Sequence, residues 1–512
     1  MAATEKKLPV SGAGPFNGIL TWVEQRFPLI TLWKEHAAEY YAPKNFNFWY
    51  YFGSLAMFVL VIQIVTGIFL VMHYKPDASQ AFASVEYIMR DVPWGWLVRY
   101  MHSTGASAFF VVVYLHMFRG LLYGSYRSPR ELVWIFGMVI YLSLMAEAFF
   151  GYLLPWGQMS YWGAQVIVNL FDALPIIGPD LALWIRGDYV VSDATLNRFF
   201  SFHVIAIPLV LVALVAAHIM ALHEVGSNNP DGVEIKKNLG PDGHPVDGIP
   251  FHPYYSVKDT FGVMVFLAVF AVIMFFMPEF GGYFLEYNNF IPADPLKTPS
   301  HIAPVWYFTP YYSILRATTD NFMVVLAAII TLWSVGVVTA RAHRPIRILA
   351  MIVGALLVAL GFIYVERLIF VGVFVAAALA SAAAMLVSRG ATARAYRTLF
   401  IAAVLLAGFK LLDAKVWGVV LMGLATLIFF LLPWLDRSPV KSIRYKGPLF
   451  KTAVALFVIV FLVLGYYGTQ PVTAAGTFIS QLCTLLYFAF FLLMPWYSTI
   501  DKTKPEPARV TW

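Results

Sequence analysis

Twelve apolar stretches, each near the length of a membrane crossing, alternate with polar segments along the chain. They run over 51–72, 97–122, 132–154, 197–222, 257–278, 321–341, 346–365, 367–388, 396–412, 415–434, 449–467 and 476–497. A helix rising about 1.5 Å per residue needs roughly 20 residues to cross the hydrocarbon of a bilayer. The pattern therefore predicts twelve spanning helices, the shortest of them 396–412. Loop charge orients them. Arg119, Arg127 and Arg130 follow the second stretch, and later loops on the same side carry Arg341, Arg344 and Arg347, then Arg389, Arg394 and Arg397, then Arg437, Lys441, Arg444 and Lys446. The opposite loop, 155–196, holds Asp172, Asp180, Asp188 and Asp193 against one base, Arg186. Basic loops face the cytoplasm, so both termini are expected inside. Two outward segments, 155–196 and 279–320, are too long and too rich in aromatics and prolines for plain connectors, and read as surface helices and turns that cap the bundle. Trp22 to Tyr41 reads as a stretch lying along the membrane surface.

Composition sharpens the class. Of 512 residues, 60% are hydrophobic and 12% charged, outside the range of soluble globular chains. The net charge of +7 is accounted for by membrane orientation and calls for no nucleic acid partner. The one cysteine, Cys483, excludes a disulfide scaffold, a cysteine-ligated iron–sulfur cluster and a covalent Cys-x-x-Cys-His haem. The first 47 residues lack a continuous apolar core, so no cleaved signal peptide is expected.

The chemistry lies in four histidines. His102 and His116 stand 14 positions apart on the second stretch, and His203 and His218 stand 15 apart on the fourth. Fourteen residues return to nearly one helix face, about 21 Å further along. Two flat cofactors stacked through the membrane, each held between imidazoles from two helices, need this arrangement, and imidazole suits haem iron. A buried, hydrogen-bonded histidine is the ordinary alternative for any one of them. Four at matched spacing weigh against it. Opposite chain directions pair His102 with His203 towards the outside and His116 with His218 towards the inside. The 15-residue spacing overshoots the face by about 60°, and a kink at Pro208 is expected to absorb it. Arg99 and Arg119, each one turn from a proposed ligand, suit haem propionates. Gly53 and Gly67, and Gly137 and Gly151, repeat the 14-residue spacing on the first and third stretches. Glycine in a helix costs about 1 kcal/mol relative to alanine, so the repetition asks for a cause. Clearance for a flat ring is one; small-residue helix packing is the other.

Four segments now carry a family resemblance: Arg99-Tyr100-Met101-His102, Gly151-Tyr152-Leu153-Leu154-Pro155-Trp156-Gly157-Gln158-Met159-Ser160, Arg198-Phe199-Phe200-Ser201-Phe202-His203 and His223-Glu224-Val225-Gly226-Ser227-Asn228-Asn229-Pro230. The chain resembles cytochrome b of the respiratory quinol–cytochrome c oxidoreductase over about 45–316 and again over about 413–497. The resemblance implies an all-α polytopic transmembrane bundle, in a bacterial inner membrane, whose first four spans form a dihaem core with two non-covalent, bis-histidine haem b groups. It also implies oxidation of ubiquinol at an outer site, with electrons divided between a Rieske iron–sulfur protein and the outer haem, and reduction of quinone at an inner site. A c-type cytochrome subunit and a homodimer of the whole complex follow from it as partners. By similarity, Gly163, Trp306, Tyr307 and Tyr312 belong to the outer site with Pro155 and Trp156, and His223, Ser227, Lys258 and Asp259 to the inner one. The chain then divides into a cytoplasmic segment 1–47, a dihaem bundle 48–225, a unit 226–320 with the inner loop, fifth span and outer loop, a four-span segment 321–412, and three last spans with a tail, 413–512.

The sequence departs from that pattern in three places. Where the family usually reads Pro-Glu-Trp-Tyr, this chain has Pro304-Val305-Trp306-Tyr307, and valine cannot accept a proton. Glu147, on the helix face of Gly151, is the first candidate to take over, with Glu279 and Glu286 as alternatives. The spacing of His203 and His218 is that of the photosynthetic relatives, but the chain is continuous and its only cysteine lies in the last span, which favours the respiratory type. Residues 317–412 have no counterpart in short family members; their even number of spans preserves the downstream topology, and their apolar content points to peripheral packing or subunit contact. A dihaem quinone anchor of another oxidoreductase and a cofactor-free transporter are the rival classes. The first does not account for Trp162-Gly163 or Pro304-Val305-Trp306-Tyr307, and an absorption spectrum separates both from a dihaem cytochrome.

Overall fold

The computed structural model describes residues 15–34 and 40–511. Among them, twelve helices are long and apolar enough to cross a membrane. They are α1 (Phe48–Val71), α2 (Gly95–Tyr123), α3 (Glu131–Leu153), α4 (Asp193–Val225), α5 (Phe251–Phe276), α6 (Asp320–Val338), α7 (Arg344–Tyr364), α8 (Arg367–Val387), α9 (Gly390–Leu411), α10 (Ala414–Leu435), α11 (Pro448–Thr469) and α12 (Ala474–Leu492). The apolar stretches of the sequence map onto them one for one. The weakest, 396–412, gains its first turn and a half from Gly390 onward.

Local chemistry sets several ends. The side chains of Asn47, Thr319, Glu366 and Thr473 accept from backbone N–H groups of the first turns they precede. Gly124, at φ +65°, closes α2 in the left-handed region. Its backbone lies so close to the Lys441 carbonyl that a Cβ would stand 2.6 Å away. That position needs glycine on both counts.

Helices α1 and α2 pack along each other, as do α3 and α4, while α5 lies against α1 and α2. The main core runs from Val59, Phe110 and Tyr141 in these first spans through Tyr307 and Tyr311 to Phe457, Tyr487 and Phe491 in the last two. Helices α6–α9 pack on one another around their own cluster of Met323, Ala327, Phe362, Phe370, Leu406 and Phe409. This agrees with peripheral packing for the four-span segment.

The two long outer segments cap the bundle together. Helices Gln158–Asp172 and Gly178–Arg186 occupy the first. The second docks onto it through backbone bonds from Gln158 N to Ile291 O (2.9 Å) and Ala293 N to Trp156 O (3.0 Å). Near the N-terminus, short helices Pro15–Glu24 and Leu29–Trp33 expose Ile19, Trp22, Leu29 and Trp33, as a segment resting on a membrane surface would; residues 35–39 of the expected stretch lie outside the described ones.

The end of the bundle expected to face inward is tied by carboxylates. Strands β1 (Tyr41–Pro43) and β2 (Gly248–Pro250) pair antiparallel there. Asp231, wholly buried, accepts from Asn45 (2.9 Å), Arg444 (3.0 Å), Tyr445 (2.8 Å) and the Thr511 backbone (2.8 Å). Asp247, also buried, takes Lys44 and a two-point contact from Arg509. The Arg509 hydrogen bonds hold its carboxyl down at about 2, so this pairing persists through the physiological range.

Candidate functional site

Helices α2 and α4 bring the four histidines together in the expected pairs. The ring centroids of His102 and His203 lie 6.0 Å apart with planes at 87°, and those of His116 and His218 lie 6.4 Å apart at 66°. Imidazole nitrogen binds a metal at about 2 Å, so two imidazoles on opposite sides of one ion have centroids roughly 6 Å apart. Among the described residues, no group of three or more His, Cys, Asp or Glu side chains could hold a bare metal ion. Two-point axial ligation of iron carried in a macrocycle fits both observations.

The glycines face the four histidines themselves. A Cβ added at Gly53 would stand 3.2 Å from His116 Cε1, at Gly67 3.3 Å from His102, at Gly137 3.4 Å from His218, and at Gly151 2.3 Å from His203. Each glycine thus admits the edge of one imidazole, and the clearance serves the ligand before any flat ring. The glycine spacing sets one such clearance opposite each of the four histidines.

The extra residue between His203 and His218 is absorbed differently from the expected kink at Pro208. Phe202–Ala206 forms a π turn that includes His203. One residue is inserted into the helix there, which offsets the 15-residue spacing. Pro208 follows directly, where its missing N–H suits a helix already loosened.

The ligands differ in what backs them. His102 Nδ1 lies 2.9 Å from Thr66 Oγ1, and His203 Nδ1 lies 2.9 Å from the Glu147 carbonyl and 3.0 Å from Glu147 Oε1. His116 Nδ1 is buried without a hydrogen bond, and His218 Nδ1, also buried, has only the Val133 backbone facing it.

A cavity of about 620 Å³ joins the inner pair to the residues expected for quinone reduction. It is lined by His116, His218, Gly53 and Gly137, and also by Arg119, His223, Ser227, Lys258 and Asp259. Arg119 Nε is buried there with no partner, while its guanidinium lies 4.9 Å over the Tyr50 ring. An anionic cofactor edge would satisfy it. The His223 ring stacks on Tyr40 (4.5 Å, 22°), whose hydroxyl lies 3.0 Å from Ser227 Oγ.

Arg130, which charge counting assigns to topology alone, proves to hold this end. Only 3% exposed, it donates to the Gly226 carbonyl (2.8 Å) and pairs two-point with Glu234 (2.7 and 2.8 Å), so it fixes the turn that presents Ser227. Lys441 also pairs with Glu234. Removing one partner of a buried pair costs about 3–5 kcal/mol. Arg130→Met should therefore lower the thermal midpoint of the purified protein, towards the small end of that range because Lys441 remains; an unchanged melting curve would deny the anchor.

A second cavity, about 270 Å³, serves the outer pair. His102, His203, Gly67, Gly151 and Arg99 line it with Glu147, Tyr152, Pro155, Val305 and Tyr307. Tyr307 is buried, its ring stacked on Phe110 at 3.8 Å, and its carbonyl accepts from Tyr114 (2.6 Å). Gly163 lies one layer back, against Tyr152. Trp306 and Tyr312 are outside the lining: Trp306 Nε1 donates to Ser107 (3.1 Å), and the Tyr312 ring lies under Arg316.

The three candidate acids separate here. Glu279 accepts from Tyr100 (2.9 Å), away from the cavity, and Glu147 is turned to His203. Glu286 accepts from the Tyr152 hydroxyl (2.7 Å), which faces Val305 and Tyr307 across the cavity. Burial pushes the Glu286 carboxyl up to about 7, against the opposing pull of the Tyr152 bond. No spacing rule joins Glu286 to Tyr152, 134 positions away, so sequence periodicity could not have ranked it.

Comparison with known proteins agrees with this geometry. The profile of the N-terminal family "Cytochrome b/b6/petB" matches residues 37–226, and that of "Cytochrome b(C-terminal)/b6/petD" matches 292–396 and 398–488. Cytochrome b of Allochromatium vinosum is 54% identical over 498 residues, covering 96% of this chain and 98% of its own. That of Rhodospirillum rubrum is 40% identical over 97% of this chain and 96% of its own. Alignments of this extent take in the four-span segment, which these bacterial relatives share. A solved structure titled "Hyperthermophilic respiratory Complex III" superposes with a TM-score of 0.69 at 34% identity, over 94% of this chain and 99% of that one. The chain belongs to the cytochrome b family.

Proposed function

We propose that the chain is the dihaem, quinol-oxidising and quinone-reducing subunit of a complex III-like quinol–cytochrome c oxidoreductase in a bacterial inner membrane, with both termini cytoplasmic. One observation carries the reading. At each end of the same four helices, a single cavity joins a histidine pair to protonatable side chains. His102 and His203 would hold the outer haem b, His116 and His218 the inner, with Arg99 and Arg119 for their propionates. When bound, the two haems supply a one-electron relay that carries one electron of each outer quinol to the inner site, while the other leaves to a Rieske iron–sulfur protein and a c-type cytochrome.

The chain's own groups handle protons and substrate. Glu286, hydrogen-bonded to Tyr152, takes the proton that the usual glutamate would take and Val305 cannot. Tyr307, fixed by stacking on Phe110, bounds the quinol pocket. At the inner end, His223 and Asp259 donate protons to ubiquinone from the cytoplasmic face, His223 held in plane by Tyr40 and Ser227 held by Arg130. The complex is expected as a homodimer.

The test is a reduced-minus-oxidised spectrum of the purified protein with its bound subunits. Two spectrally distinct b haems per chain, co-purifying with an iron–sulfur protein and a c-type cytochrome, are expected. A preparation without b haem would sink the reading.

A further inference from the structure

The geometry points to Glu147 as a positioning residue that sets the reduction potential of the outer haem through its hydrogen bond to His203. The inference rests on the reading of His203 as an axial ligand. A ligating imidazole gives its second N–H to an acceptor, and the acceptor's strength sets the basicity of the ligating nitrogen. An ionised carboxylate is the strongest acceptor a side chain offers. A more basic imidazole stabilises the oxidised iron and lowers the potential.

The two ends of the bundle differ in this respect. At the outer end, His203 Nδ1 has both the Glu147 carbonyl (2.9 Å) and Glu147 Oε1 (3.0 Å) as acceptors. Its partner His102 has Thr66 Oγ1 at 2.9 Å, and that hydroxyl spends its own proton on the Ile62 carbonyl (2.6 Å), which leaves it to accept. Neither inner histidine has a side-chain acceptor of this kind: His116 Nδ1 has no partner, and His218 faces the Val133 backbone.

Stability gives no reason for the residue. A carboxyl at membrane depth is costly, and Glu147 Oε2 is buried with no partner at all. Gly151, one turn along the same face of α3, lets the His203 ring come close enough for the contact. The backbone carbonyl alone would orient the ring; the ionised carboxylate adds charge density to it. No change in the protonation of Glu147 is invoked.

Redox titration of the b haems in the assembled complex, followed in their α bands, tests this. In Glu147→Gln the outer haem should be more easily reduced, with the ratio of reduced to oxidised form at fixed potential raised about tenfold, equal to about 59 mV for one electron. The inner haem, titrated in the same sample, should not move. An unchanged outer potential, or equal shifts of both haems, overturns the inference. Should E147Q assemble without the outer haem, the same two outcomes are read on Glu147→Thr, which keeps the backbone acceptor. A wild-type complex lacking two b haems would instead overturn the haem reading on which the inference stands.

Discussion

Replacing Glu286 by glutamine should slow quinol oxidation on the order of 10²-fold, as expected for loss of a positioned proton acceptor. The carboxyl must be ionised to accept, and burial raises it to about 7. Below that pH it is protonated and cannot act. The native rate should therefore climb as pH rises towards 7 and level off above. In E286Q the residual rate should lose that climb, because glutamine does not titrate. Quinol–cytochrome c reductase assays from pH 5.5 to 9 measure both effects. A native-like profile in E286Q would return the role to another group. The size of the effect separates Glu286 from Glu147 as well, since E147Q should alter the potential of a haem and leave the pH dependence in place.

The second large effect is expected at a glycine. A Cβ at Gly151 would stand 2.3 Å from Cε1 and 2.9 Å from Nε2 of His203, closer than packed atoms approach. The ring cannot retreat without giving up its bonds to Glu147. Gly151→Ala should thus remove the outer haem, visible as the loss of one of two b-haem bands, with the inner band retained. Gly137→Ala adds the same methyl at 3.4 Å from His218, a tight but tolerable contact, and should keep both. If G151A binds two haems normally, clearance for the imidazole is not why glycine stands there.

Much of this architecture was legible in the sequence because it is periodic. Spans follow from runs of apolar residues, and the histidine pairs and their glycines follow from a spacing that returns to one helix face. What escaped depends on contacts between distant segments. The choice of Glu286 over Glu147 turns on Tyr152 meeting a loop from across the outer face. Arg130 counted only as a topological charge until Gly226 and Glu234 were found against it. The 15-residue spacing pointed to Pro208, but a π turn is a property of hydrogen-bond registry and leaves no compositional trace. Trp306 belongs to the motif and Tyr312 is assigned by similarity, yet only Tyr307 of the three faces the outer cavity.

The buried carboxylate of Asp231 gathers Asn45, Arg444, Tyr445 and Thr511 on one point. A ribosome delivers Asn45 long before Arg444 and Tyr445, and Thr511 later still. Both histidine pairs are made well before the last of them emerges. The Asp231 cluster can thus be closed only once Thr511 has been made, when both histidine pairs are already in place.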